Sequence, residues 1–142
     1  MITRGLLILL CLTGALTAQQ VRVASVLGDN RVAMGEVVLY ALDVKVVADG
    51  EESIAAPVAV DLPAVEGVTV LGTEVIDRGT SRRMSIVNGR RSSSMEYHWQ
   101  VIYRLRTNGL GRYDIPGFTY RYLDRDHALR ALSFEVVKDA PG

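Results

Sequence analysis

Between Tyr97 and Leu105 apolar and polar side chains change places at almost every step. Tyr97, Trp99, Val101, Tyr103 and Leu105 fall on one side of an extended chain, Glu96, His98, Gln100, Arg104 and Arg106 on the other, and Ile102 alone breaks the pattern. A period of two belongs to a strand, because a helix brings its side chains back to one face only every ~3.6 residues. A strand wet on one face lies in an antiparallel sheet and presses its dry face against a second layer. The aromatic face is therefore predicted to be core, with Trp99 as an anchor and His98 directed outward.

The rest of the chain repeats the signal in shorter runs. Val21, Val23 and Ser25 alternate with Arg22 and Ala24 before a turn at Gly28-Asp29-Asn30. From Val37 to Val44 both parities are mostly apolar, as in a central strand. Asp49-Gly50-Glu51-Glu52 is a polar loop, and Ser53 to Val60 and Val68 to Val75 read as two further strands. Met84 to Val87 and Arg90 to Met95 flank Asn88-Gly89. Asn-Gly accepts the positive φ angles of a type I′ turn, so a hairpin is predicted there. Tyr113 to Pro116, Phe118 to Tyr122, and Leu132, Phe134 and Val136 continue the series, with no sustained helical stripe. About eight or nine short strands with turn signals roughly every 8 to 12 residues predict an all-β, immunoglobulin-like antiparallel sandwich. Tyr113, just after Gly111, stands where such sandwiches place a tyrosine whose hydroxyl bonds the preceding loop.

Ahead of the first strand, Met1 to Ala18 carries Arg4, an apolar run from Gly5 to Leu12 and mostly small residues up to Ala18, the anatomy of a secretory signal peptide. The run is shorter than the ~20 residues that span a bilayer. Cleavage after Ala18 is expected, leaving residues 19–142 as one domain, exported to the periplasm or secreted. Cys11 is the only cysteine and leaves with the signal, so the mature domain depends on its core rather than on disulfides.

Sixteen basic residues balance sixteen acidic ones, which argues against nucleic acid as the partner. Catalytic chemistry has little to work with: the mature chain holds only His98 and His127, and no phosphate loop, GxSxG or HExxH pattern. Asp124-Arg125-Asp126-His127 reads as a charged turn before the last strand, without metal-ligand spacing. No catalytic, cofactor or metal residue is assigned, and the protein is not expected to be an enzyme. Charge is nevertheless partitioned. Asp43 to Asp77 carries eight acids and one base, Lys45, whereas Arg78, Arg82, Arg83, Arg90 and Arg91 follow with no acid between them. Guanidinium groups suit carboxylate partners. The hairpin residues Arg82, Arg83, Asn88, Gly89, Arg90 and Arg91 are the candidate partner contacts, and the bland alternative is a sheet edge kept soluble by charge.

Gly72-Thr73, Ser85-Ile86-Val87-Asn88-Gly89-Arg90, Ser92-Ser93-Ser94, Tyr97, Trp99, Tyr103, and Gly111-Arg112-Tyr113-Asp114-Ile115-Pro116 together resemble the first domain of the oxygen-tolerance (BatD-like) family. Asp29 to Glu36 is similar to that family's opening strand and turn. The resemblance spans about residues 21 to 120. It implies an envelope protein of immunoglobulin-like domains, working beside von Willebrand A domain proteins and a MoxR-type ATPase. Family members are typically longer, with further β domains and a C-terminal membrane helix, whereas this chain stops at Gly142. The leading expectation is a non-catalytic, exported protein-interaction module in the bacterial envelope, with self-association a further option. The competing one is an exported glycan- or ligand-binding sandwich using Tyr120 and Tyr122 as exposed stacking rings.

Overall fold

A computed structural model describes residues 19–49 and 53–139. The expected signal segment and part of the polar loop lie outside the described residues. Nine strands follow in order: β1 (Gln19–Leu27), β2 (Arg31–Ala33), β3 (Val38–Asp49), β4 (Val68–Val87), β5 (Arg90–Thr107), β6 (Gly111–Ile115), β7 (Phe118–Tyr122), β8 (Arg125–Leu129) and β9 (Leu132–Val137). β1, β3, β5 and β4 form one antiparallel sheet in that order. The second layer is β2-β9-β6 together with the β7-β8 pair, and β2 lies parallel to β9.

β6 with β9 and β7 with β8 keep one register. Ile115 faces Leu132 and Phe118 faces Leu129, so the four strands are two arms of a single kinked hairpin. The kink needs Gly117, where a Cβ would stand 2.5 Å from the Leu129 carbonyl oxygen. The arms turn at Leu123-Asp124, both with positive φ, at 52° and 59°.

The predicted aromatic face is core: Trp99, Val101, Tyr103 and Leu105 are buried and pack with Tyr40, Leu42 and Val44 of β3 and with Ile115, Tyr120 and Phe134 of the second layer. Tyr97 stacks on Trp99 with ring centroids 5.3 Å apart. The Tyr113 hydroxyl donates to the Gly109 carbonyl at 2.8 Å, as its position predicts. The result is an immunoglobulin-like antiparallel β-sandwich.

Three expectations are corrected. Ser53 to Val60 is not a strand, although its apolar content suggested one. Residues 53–65 run extended without sheet pairing, held by tyrosine hydroxyls from three distant positions. Tyr122 donates to Ala55 O at 2.6 Å, Tyr120 to Val58 O at 2.8 Å, and Tyr103 to Val60 O at 2.7 Å, while Val60 N donates back to the Tyr103 hydroxyl at 3.2 Å. Tyr120 and Tyr122 are thus buried, at 1% and 7% exposure, and offer no ring to a sugar. Finally, Arg125 to His127 is strand rather than turn. Alternation sends Asp126 toward Arg121, 2.9 Å away, and places His127 opposite buried Tyr120, so the pair cannot share an ion.

Candidate functional site

The β4-β5 hairpin outgrows its sheet. Among the described residues, β3 pairs with β5 up to Asp49–Ser94, and beyond that pair β4 and β5 form a two-stranded arm from Met84–Ser93 to their turn. Asn88 and Gly89 occupy that turn with φ of 53° and 75°, matching the type I′ conformation expected from the sequence. Asn tolerates the left-handed region through its short polar side chain, and Gly enters it without a Cβ penalty.

Pairing with β5 assigns the hairpin's faces. Arg82, Met84 and Ile86 oppose Met95, Ser93 and Arg91, extending the side of the sheet that carries Trp99. Arg83 opposes Ser94 on the other side, which continues the solvent face. The arginines therefore flank both faces, as alternation predicted. Met84 and Ile86 are 59% and 68% exposed.

The five arginines have different partners. Arg78 is held at the base, where its Nε donates to Gln100 Oε1 at 2.8 Å. Gln100 Nε2 in turn donates to Asp43 Oδ1 at 2.8 Å, and His98 Nε2 lies 3.3 Å from the same oxygen, so a polar chain crosses three strands on the outer face. His98 is directed outward as predicted, but half-buried and paired rather than bare. Arg83 Nη2 reaches Glu96 Oε2 at 3.0 Å, and exposed Arg82 is also engaged in an interaction. Arg90 and Arg91 are exposed and make no ion pair among the described residues.

Two contributors escaped sequence reasoning. Arg22 of β1 and Lys45 of β3 are cross-strand neighbours, and with Arg83, Gln20, Val47 and Glu96 they line a shallow cleft of about 260 Å³ at the root of the arm. Their spacing along the chain holds no hint of this, because strand pairing alone brings them together. The acidic stretch, conversely, is dispersed: Glu74 pairs with Arg104 at 2.8 Å, and Asp77 Oδ1 accepts the Gly79 amide at 2.8 Å. Among the described residues no group of three metal-ligating side chains converges, and no helix is long and apolar enough to cross a membrane. Chemically, the site can offer guanidinium donors, two exposed apolar side chains and, among the described residues, an outer edge of β4 without a further strand.

Residues 25–136 match a family described as BatD DUF11 like domain. No curated protein and no solved structure matches the chain.

Proposed function

The chain belongs to the BatD family, and on that premise we propose that it is a non-catalytic protein-interaction module of the bacterial envelope whose β4-β5 arm engages an acidic partner surface. The observation that carries this reading is the arm itself. Arg90 and Arg91 lie near the tip of the two-stranded arm, and Arg82 and Arg83 lie at its root, level with the last described pairs of β3 and β5. Exposed ion pairs contribute only about 0–1 kcal/mol to stability, so folding alone gives little reason for gathering these charges. An arm projecting from a rigid double layer also presents its cations ahead of the domain, where they can steer encounter with an acidic surface. The resemblance to the oxygen-tolerance family makes von Willebrand A domain proteins linked to a MoxR-type ATPase the partners to try first. The envelope location accords with the signal-like Met1 to Ala18.

Replacing Arg82, Arg83, Arg90 and Arg91 together with Ser tests the reading. The expected outcome is an intact fold, reduced co-purification of envelope proteins and a slower association rate. The wild-type rate should fall as salt shortens the screening length to about 8 Å near physiological ionic strength and below it at higher salt. Wild-type association by the quadruple variant, or a salt-independent wild-type rate, would leave the arm as a charge-protected sheet edge only.

A further inference from the structure

The outer edge of β4 is bordered by no other strand among the described residues, since β4 ends its sheet and pairs only with β5. Its two halves differ. The first is interrupted by irregularities at Val70/Gly72 and Asp77/Gly79, and such bulges twist an edge away from a flat template. From Gly79 to Val87 the pairing with β5 is unbroken, one residue per step. An unpaired edge with regular backbone is a template for one more strand.

We infer that the arm binds its partner by strand addition along β4 from Thr80 to Val87, and that the added strand is an extended acidic segment of another protein. This deepens the reading proposed above and rests on it. Charge selects the occupant. A strand laid beside β4 has one face next to Arg82, Met84 and Ile86 and the other next to Arg83, so carboxylates on both faces and apolar residues beside Met84 and Ile86 complement it. A flat acidic surface would meet one face of the arm only. Two copies joined antiparallel through this same stretch would set Arg82 and Arg83 of each beside those of the other, and like charges directly across strands are destabilising. The arginines thus oppose pairing between copies and favour an acidic strand, which is specificity through repulsion and attraction together.

The test uses the purified protein and a synthetic peptide, fluorescein-labelled Thr-Val-Thr-Val-Glu-Glu-Thr-amide, whose adjacent acids fall on opposite faces and whose valines share one face, titrated by fluorescence anisotropy. Two further peptides carry N-methyl groups on alternate amides, one set on each edge of the extended peptide. N-methylation removes donors along one edge and leaves every charge in place. Binding of the parent peptide is expected, with a loss of at least about tenfold for one methylated set and little change for the other. The Arg82→Ser, Arg83→Ser double variant should weaken the parent peptide by a similar factor, with its fold checked by Trp99 fluorescence.

Equal affinity for both methylated peptides overturns strand addition while leaving electrostatic docking in place. No binding of the parent peptide at about 1 mM also overturns it. The quadruple variant's behaviour toward envelope partners then decides the broader reading separately. Concentration-dependent dimerisation that is abolished by Met84→Pro, which removes an outward-facing donor of β4, would assign the edge to a second copy and overturn the proposal as well.

Discussion

The extended segment 53–65 is held by side chains rather than by a sheet, and removing three oxygen atoms tests this. Tyr103→Phe, Tyr120→Phe and Tyr122→Phe each keep the ring in the core and delete a hydroxyl. Together they erase four hydrogen bonds, two at Val60 and one each at Val58 and Ala55. At a net contribution of about 0.5–1.5 kcal/mol per bond the simple range is about 2–6 kcal/mol. Val58 and Val60 are 72% and 39% exposed, so water can replace part of what their backbone loses, and the lower half of that range, about 2–4 kcal/mol for the triple variant, is expected. The three changes share one segment and need not add. Urea unfolding followed by Trp99, the only tryptophan, measures the loss. Hydrogen exchange locates it: the Val60 amide, which donates to the Tyr103 hydroxyl, should lose protection first while the amides of β3 and β5 keep theirs. A triple variant within about 0.5 kcal/mol of wild type, a shift typical of inconsequential surface changes, would refute the reasoning, as would unchanged exchange at the Val60 amide.

The same phenols predict an alkaline limit. Burial raises Tyr40, Tyr103 and Tyr120 above the ordinary phenol value and pushes Tyr122 up to about 12. The folded state therefore retains phenolic protons that the unfolded chain has released, so stability should be level below pH 10 and fall as the pH approaches 12. Tyr122→Phe should flatten that slope, and pH-dependent urea midpoints check it. Trp99→Ala should lose about 3–5 kcal/mol through a core cavity, and a loss under about 1 kcal/mol would contradict its packing against Tyr97. Gly117→Ala should destabilise by about 1–3 kcal/mol, since its Cβ meets the Leu129 carbonyl, and thermal melts beside a Gly72→Ala control, whose Cβ meets nothing within 4 Å, report it. Gly89→Val should loosen the arm while Asn88→Asp is mild, read by exchange at β4 and β5 amides near the turn, because only the first forces a β-branched residue to positive φ.

What the sequence determined by itself is what neighbours along the chain decide. The alternation from Tyr97 to Leu105, the Asn88-Gly89 turn and the placing of Tyr113 are each set within a few residues, and each is found as read. The opposite faces of Arg82 and Arg83 follow from the same periodicity. Residues 53–60 show where this stops: their local pattern resembles a strand, but a strand exists only through a partner's backbone, and here phenols from β5 and β7 take those carbonyls instead. Tyr120 and Tyr122 looked available for the same reason, because nothing near them in sequence reveals the segment that receives their hydroxyls. The Leu123-Asp124 turn was hidden because the kinked hairpin imposes positive φ on a leucine that would not choose it. Tertiary structure alone tied Arg78 to Gln100 and Arg83 to Glu96, and drew Arg22 and Lys45 to the root of the arm. Such pairings depend on which strands become neighbours, and that is decided by burial of the whole core rather than by any stretch of chain within it.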